Sequence, residues 1–114
     1  MSRLVGQWGE GKALEYLLSQ GYNPVCQNFF SKFGEIDIVA TSPLGELIFV
    51  EVKTYKPNSM IHPLEAISPS KVAKLHKTAR YFLSRSQLYN DIDCRFDAIL
   101  VSQNGECEHI QNIF

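Results

Sequence analysis

Two segments in which apolar and polar residues alternate lie on either side of a short turn near the middle of the chain. Glu35–Thr41 and Glu46–Thr54 both show the period of two that is typical of strands with one buried face. Between them, Pro43-Leu44-Gly45 fits a three-residue hairpin loop, because proline suits a type I turn and glycine supplies the left-handed residue that follows it. The pattern therefore predicts an antiparallel hairpin.

The turn also fixes the register of this hairpin. With Ser42 facing Glu46, counting back along both strands places Asp37 opposite Glu51. Directly opposed residues point to the same face of a sheet, with their Cβ atoms ~5 Å apart. Two carboxylates that close repel each other unless a cation or a proton lies between them. We therefore predict that Asp37 and Glu51 share a site, although a slip of one residue would separate them.

Two longer segments have the apolar spacing expected of helices. The first runs from Leu4 to Gln20, and Gly21 suits the left-handed position that ends a helix. The second begins at Ser68-Pro69, where serine is a favoured N-cap and proline a favoured first helical residue. It is predicted to continue to about Gln87. One helix thus precedes the hairpin and one follows it.

Further strands are predicted outside the hairpin. Tyr22–Phe30 precedes it, and Cys94–Ser102 alternates clearly after the second helix. Asn104-Gly105 is typical of a two-residue hairpin turn and predicts a short last strand near His109-Ile110. The element order is α-β-β-β-α-β with a small terminal strand, which we interpret as a single α/β domain over residues 1–114.

The composition is that of an ordinary soluble protein. Hydrophobic residues make up 45% and charged residues 20% of the 114 positions, enough for a core without covalent staples. The apolar runs are short and the N-terminus lacks the features of a signal peptide, so no membrane association is predicted. The three cysteines are far apart and odd in number, and we interpret them as free thiols in a reducing cytoplasm: Cys26, Cys94 and Cys107.

The distribution of charge is more informative than its sum. A net charge of −1 and a pI of about 6.3 argue against a strongly electrostatic nucleic-acid binder. Residues 66–90, however, contain five basic side chains and no acidic one. We predict that the second helix contacts backbone phosphates through four of these side chains, the alternative being a simple solvated face: Lys71, Lys74, Lys77 and Arg80.

The acidic residues of the hairpin suggest a specific chemistry. Phosphodiester hydrolysis needs the phosphate charge neutralised and a water molecule activated, and hard divalent cations held by oxygen ligands do both. We predict a Mg²⁺ or Mn²⁺ site formed by the carboxylates of Asp37 and Glu51 and the carbonyl of Val52. Glu10, on the first helix, would complete the coordination or bind a second ion. Lys53 lies on the Glu51 face and could orient the attacking water or stabilise the phosphorane.

Simpler interpretations exist for each of these residues. The hairpin charges could form only a cross-strand ion pair, and Glu10 could simply complement the dipole of its helix. We interpret Glu35 as a solvated residue or one that supports the site, and Asp97 as structural or supporting. Three histidines have no metal-ligand spacing with each other or with cysteine, so zinc is not predicted: His62, His76 and His109.

The same residues carry a family resemblance. Asp37 with Glu51-Val52-Lys53 resembles the PD-(D/E)xK nuclease motif, and the element order is similar to the restriction-endonuclease-like core, a mixed central sheet flanked by helices. More narrowly, the chain resembles the YraN-type family of small bacterial proteins. That resemblance rests on Gly9-Glu10, Gly21-Tyr22, Gln27-Asn28-Phe29, Gly34–Ala40, Phe49–Thr54, Lys71 with Leu75, and Arg95-Phe96-Asp97. The resemblance implies a divalent-metal nuclease that is similar in motif and core to archaeal Holliday-junction resolvases.

Two positions depart from the family pattern. The family usually has arginine where this chain has Gln27 and Tyr55. Both departures remove expected phosphate contacts near the site. They bear on the affinity for DNA more than on the chemistry.

The leading hypothesis is a metal-dependent endonuclease that acts on branched or structured DNA. Branched DNA has a two-fold shape and suits a homodimer, although no segment identifies a dimer face. The alternative is a nucleic-acid-binding module that keeps the nuclease fold with weak or lost catalysis, which the near-neutral charge and the absent arginines favour. A third interpretation is a protein-interaction adaptor that binds neither DNA nor RNA.

Overall fold

The computed structural model describes residues 3–58, 60, 62–89 and 91–113, and in it two helices flank one five-stranded sheet. The order along the chain is α1 (Arg3–Ser19), β1 (Asn23–Ser31), β2 (Gly34–Thr41), β3 (Leu47–Tyr55), α2 (Pro69–Ser84), β4 (Cys94–Ser102) and β5 (Cys107–Ile110). Short 3₁₀ turns cover Pro63–Ala66 and Gln87–Tyr89. No helix in the described part of the chain is long and apolar enough to cross a lipid bilayer.

The sheet is mixed, with its strands in sequence order from β1 to β5. Strands β3 and β4 are parallel and are joined through α2, whereas the other neighbours are antiparallel. A parallel pair needs such a crossover because a tight turn can only reverse the chain. The predicted α/β class and the α-β-β-β-α-β order with a mixed central sheet are confirmed.

Each helix covers one face of the sheet, and β3 contributes to both core layers. Ile48, Val50 and Val52 pack in the cluster with α1, and Leu47 and Phe49 pack in the cluster with α2. The alternation predicted for this strand is thus confirmed. It directs the side chain of Glu51 towards α2.

The alternation predicted for β2 is wrong at its start. Ile36 packs in the α2 cluster with Val39, whereas Ile38 packs in the α1 cluster. Asn28, in the facing strand, has a left-handed φ of 52° and lies between the partners of Ile36 and Ile38. The β1–β2 register is continuous past Asn28, but the β2–β3 ladder ends at Ile38–Val50, so Ile36 lies outside the part of β2 that is paired on both sides.

The two tight turns of the sheet share one geometry, which the sequence predicted for the first turn only. Between β2 and β3, Ser42 N donates to the carbonyl of Glu46 at 2.8 Å and Gly45 has a φ of 88°, as the predicted three-residue loop requires. Between β4 and β5, Ser102 N donates in the same way to Glu106, so the predicted two-residue turn is wrong. A two-residue type I′ turn needs two consecutive left-handed residues, and in this turn only Gly105 is left-handed.

Helix α2 ends earlier than predicted. Its last helical residue is Ser84, and Gln87 lies in the separate 3₁₀ turn. The Arg85 N–H bonds to the carbonyl of Phe82 at 3.1 Å, and Ser86 N bonds to Leu83 at 3.3 Å. These i→i−3 bonds tighten the final turn and replace the α-helical pattern.

A buried polar network around Asp97 joins β4 to β5 and to the C-terminal segment. Asp97 is fully buried and accepts two hydrogen bonds from Arg95, at 2.9 and 2.8 Å. It also contacts His109 Nε2 at 2.7 Å and accepts from Asn112 N at 3.0 Å. With its lone pairs used by these four contacts, Asp97 has the structural role that the sequence indicated.

Candidate active site

The β2–β3 hairpin brings the two predicted carboxylates to one place. The ladder runs from Thr41–Leu47 to Ile38–Val50, which is the register expected from the turn, and Asp37 and Glu51 follow directly beyond it. Asp37 Oδ2 accepts a hydrogen bond of 2.8 Å from the amide of Val52. Only 4% of Glu51 is exposed, so its carboxylate needs compensation from neighbouring groups.

Two lysines supply that compensation. Lys71 Nζ lies 2.7 Å from Glu51 Oε1, and Lys53 Nζ lies 3.5 Å from the same oxygen. Lys71 is in the first turn of α2, where the hydroxyl of Ser68 caps the helix by accepting from Lys71 N at 3.2 Å. The sequence assigned Lys71 only to phosphate contact, whereas the structure places it on a candidate metal ligand.

A second pair of carboxylates joins the cluster from the side of α1. The amide nitrogen of Asn28, oriented towards both acids, lies 2.7 Å from Glu35 Oε1 and 2.9 Å from Glu10 Oε1. Glu10 is therefore held near the hairpin, as its predicted auxiliary role requires. Sequence reasoning did not assign a role to Asn28. The available signal was its place in a family-like segment, Gln27-Asn28-Phe29.

The carboxylates raise one another's proton affinity. Burial and the nearby charge of Glu51 raise the pKa of Asp37 to about 7, against the smaller opposing effect of the Val52 hydrogen bond. Burial, then Glu35, raises the pKa of Glu10, although Asn28 opposes this. Burial and Glu51 likewise raise the pKa of Glu35. A cation placed among these groups would relieve their repulsion.

The two lysines differ in their tendency to hold a proton. Burial, together with the neighbouring Lys71, lowers the pKa of Lys53 in spite of the attraction of Glu51. Burial also acts to lower the pKa of Lys71, but its hydrogen bonds to Glu51 and Lys53 outweigh this and raise it. Lys53 thus holds its proton less firmly than Lys71 does.

The donor set has the chemistry that hard divalent cations prefer. Among the described residues, no group of three or more His, Cys, Asp or Glu side chains is arranged to hold an ion by itself. Mg²⁺ commonly uses only one or two protein carboxylates and fills its remaining positions with water and substrate phosphate. The Asp37 and Glu51 pair meets that lower requirement with oxygen donors alone.

The predicted phosphate-binding residues do not all lie on one surface. Lys71 and Lys74 line a groove beside Gly34 and Glu35, and Lys77 Nζ lies 5.6 Å from the centre of the Phe33 ring. These three lysines lead from Glu51 towards the β1–β2 turn, where Lys32 Nζ is 5.3 Å from the same ring. Arg80 follows Lys71 by nine positions, about 2.5 helical turns, so it projects opposite to Lys71, although it lies only about 60° around the helix from Lys77.

Comparison with known proteins identifies the family. The model of a family described as "Uncharacterised protein family UPF0102" matches residues 9–101 of this chain. The chain belongs to the UPF0102 family. The resemblance to the YraN-type family is thereby confirmed.

Relatives within UPF0102 match along nearly the whole chain. A UPF0102 protein of Neisseria meningitidis serogroup C is 40% identical over 108 residues, covering 95% of this chain and 92% of the relative. One of Dichelobacter nodosus is 35% identical, covering 95% and 86%. One of Prosthecochloris aestuarii is 37% identical, covering 96% and 92%. The similarity therefore extends over nearly all of the helices and strands that build the candidate site.

Proposed function

We propose that this UPF0102 protein is a divalent-metal-dependent endonuclease that hydrolyses DNA phosphodiester bonds, with branched or structured DNA as its substrate class. The observation that supports this most directly is the placement of Asp37 and Glu51 side by side, next to two lysines. Structural ion pairs normally match each acid with a base, whereas this cluster holds more carboxylates than nearby ammonium groups. Such an excess of negative charge favours a cation-binding role.

The proposed ligands are the carboxylates of Asp37 and Glu51, the carbonyl of Val52 and, as an auxiliary, Glu10. A bound Mg²⁺ or Mn²⁺ would supply Lewis acidity at the phosphate and lower the pKa of a water ligand. Lys53 would orient that water or stabilise the phosphorane, since its ammonium group lies 3.5 Å from Glu51 Oε1. Asn28 would act by positioning Glu10 and Glu35.

The basic groups of α2 would hold the DNA backbone. Lys71, Lys74 and Lys77 provide a series of ammonium groups that starts at Glu51 and follows the side of the helix next to β2. In the presence of a metal, Lys71 would exchange its contact with Glu51 for one with a phosphate. Arg80 would add longer-range attraction from the other side of the helix.

The rival proposal is a nucleic-acid-binding module without efficient catalysis. The observation in its favour is the 2.7 Å contact of Lys71 with Glu51, because an ammonium group already neutralises this buried acid. A binding module would hold DNA equally well with and without a chelator. Its affinity would still fall steeply with salt, because phosphate contacts release counterions.

The deciding experiment compares cleavage of labelled linear, flap and four-way-junction DNA in Mg²⁺, Mn²⁺ or EDTA. We expect metal-dependent cleavage by the unaltered protein and a loss of at least about a hundredfold in Glu51→Gln and Asp37→Asn, since each removes a carboxylate that would hold the cation that stabilises the transition state. Glu106→Gln changes an exposed acid in the β4–β5 turn and should cleave normally. Equal cleavage by Glu51→Gln would disprove the assignment, and binding without cleavage would favour the rival.

A further inference from the structure

A groove of about 630 Å³ opens between the start of α1 and the end of β3, outside the carboxylate cluster. Its lining consists of Leu4, Val5, Trp8, Thr54, Tyr55, Lys56 and Gln103. Two aromatic rings and two aliphatic side chains thus surround a space open to solvent. A concave apolar surface with a few polar groups at its edge is a candidate binding site.

The apolar side chains of the groove are not part of the core. Further along α1, Ala13 and Leu17 are buried against the sheet, whereas Leu4 is 76% exposed and Trp8 40% exposed. The first turns of the helix therefore keep large apolar side chains in contact with water. A ligand that covered these side chains would gain free energy by removing apolar surface from water.

Two glycines bring other parts of the chain close to the segment of α1 that carries Trp8. A Cβ atom on Gly9 would collide with the side-chain methyl of Thr54, so the absence of a side chain lets α1 lie directly on the end of β3. A Cβ on Gly105 would lie 3.8 Å from the indole ring, which places the β4–β5 turn beside it. Trp8 and Tyr55 line the same groove for this reason.

The groove lies on the same two elements as the candidate active site, α1 and β3. Lys53 and Tyr55 are two residues apart on β3, a separation of ~6.6 Å along a strand. Trp8 and Glu10 are two residues apart on α1 and therefore project from opposite sides of the helix, so the path from the site to the groove follows β3. A DNA strand whose phosphate lay beside Lys53 would therefore carry its neighbouring nucleotide to the groove.

From this geometry we propose that the groove binds an unpaired base of a DNA strand, which stacks on Trp8 and Tyr55 while Lys56 contacts its phosphate. Among the described residues, the lining includes one cation and no acid, as a phosphate-bearing ligand requires. Aromatic rings bind bases through their faces, and those faces are accessible only when a nucleotide is unpaired or flipped. The inference rests on the proposed function and specifies its substrate as DNA with unpaired nucleotides beside the cleaved bond.

The main competing occupant is a second copy of this chain. Stable protein interfaces use ~20–30 residues on each side, whereas seven of the described residues line this groove. A groove lined by so few residues suits a small ligand better than a protein interface. A dimer formed through this groove would shield Trp8 without any DNA, so it can be distinguished by experiment.

The chain contains a single tryptophan, so its fluorescence reports directly on Trp8. We would titrate the protein in EDTA with oligo(dT) and with a blunt duplex of equal length, measuring both indole emission and the anisotropy of labelled DNA. We expect oligo(dT) to quench the emission and the duplex to quench it much less. EDTA prevents metal-dependent cleavage, and a parallel titration of Glu51→Gln repeats the measurement in a variant that is expected not to cleave. Base binding in the groove is therefore tested separately from the proposed nuclease activity.

Variants locate the binding. Tyr55→Leu should weaken oligo(dT) binding roughly fivefold to a hundredfold, the range for loss of one base-stacking ring, whereas Tyr55→Phe should bind normally. Leu44→Ala is the matched control, because Leu44 is 89% exposed in the turn at the opposite end of β3. Binding without quenching, or equal affinity in Tyr55→Leu, would overturn the proposal. So would light scattering that showed a DNA-independent dimer in which Trp8 is shielded.

Discussion

At the scale of single residues, the candidate site depends on repulsion between carboxylates that the surrounding groups only partly offset. Asp37 accepts a hydrogen bond from the amide of Val52 and faces the charge of Glu51. Glu51 has two ammonium groups within 3.5 Å. The acid with less compensation has the pKa of about 7, so Asp37 should dominate the response of the metal-free protein to pH.

That response has a definite sign. The pKa of Asp37 is about 7 in the folded protein and its ordinary value is 3.8, so folding disfavours the ionised form. The contribution of Asp37 to stability is therefore complete below pH ~4 and is lost as the pH rises through 7. In EDTA, Asp37→Asn should be more stable than the unaltered protein at pH 8, with the difference disappearing near pH 4. At pH 8 the raised pKa of Asp37 lowers the free energy of unfolding of the unaltered protein by at most ~4 kcal/mol.

Thermal melts in EDTA between pH 4 and pH 8 measure this difference. Asparagine keeps an oxygen for the Val52 amide, so the variant changes the charge and little else. Asp91→Asn, at an exposed position between α2 and β4, is the control and should show no such trend. A stability difference that did not vary with pH would contradict the argument. Addition of Mg²⁺ at pH 8 should stabilise the unaltered protein more than Asp37→Asn.

The sequence predicted the part of the site that depends on residues close together in the chain, namely the turn and the two strands that it joins. The turn at Pro43-Leu44-Gly45 fixed the hairpin register, and the register alone placed Asp37 near Glu51. Lys71 and Asn28 were assigned otherwise or missed because their positions depend on how helices dock on the sheet. Lys71 reaches Glu51 only because α2 crosses that face, and no local pattern encodes such a crossing.

At the scale of elements, the site and the groove both depend on how closely α1 approaches β3. Gly9 permits that approach, because any side chain there would meet Thr54. Glu10 and Trp8 are its immediate neighbours, so a displacement of the helix would move an acid of the cluster and the indole together. Gly11 offers a matched comparison in the same helix, because a Cβ atom added there would have none of the described neighbouring groups within 4 Å.

The two glycines should respond oppositely to replacement by alanine. Gly9→Ala should lower the free energy of unfolding by about 1–3 kcal/mol, since the overpacked contact must open. Gly11→Ala should raise it by about 0.5–1 kcal/mol, because alanine favours a helix more than glycine does. Urea unfolding measures both changes. If Gly9→Ala were as stable as Gly11→Ala, α1 would not be held closely against β3.

At the scale of the whole molecule, the network around Asp97 connects elements that are distant in sequence. Besides Asp97, Arg95 contacts Glu46 next to the β2–β3 turn at 2.9 Å and the hydroxyl of Tyr22 at 2.9 Å. His109 contacts the hydroxyl of Tyr16 on α1 at 3.2 Å. One buried carboxylate, in register with Val50 on the neighbouring strand, thus connects α1, the β2–β3 turn and the C-terminal segment.

This network predicts an acid dependence opposite to that of Asp37. Burial alone would raise the pKa of Asp97, but its hydrogen bonds to His109 and Arg95 lower it below 3.8. The stability it contributes is therefore present above pH ~4 and is lost as the pH falls through its folded pKa. Asp97→Asn should lower the free energy of unfolding by about 3–5 kcal/mol at pH 7, because it leaves the Arg95 charge without its main partner. The difference between the two proteins should shrink at pH 3.

Urea unfolding at both pH values tests this prediction, with Asp91→Asn again as the control. A cost that stayed constant down to pH 3 would mean that packing, and not the charge of Asp97, holds these elements together.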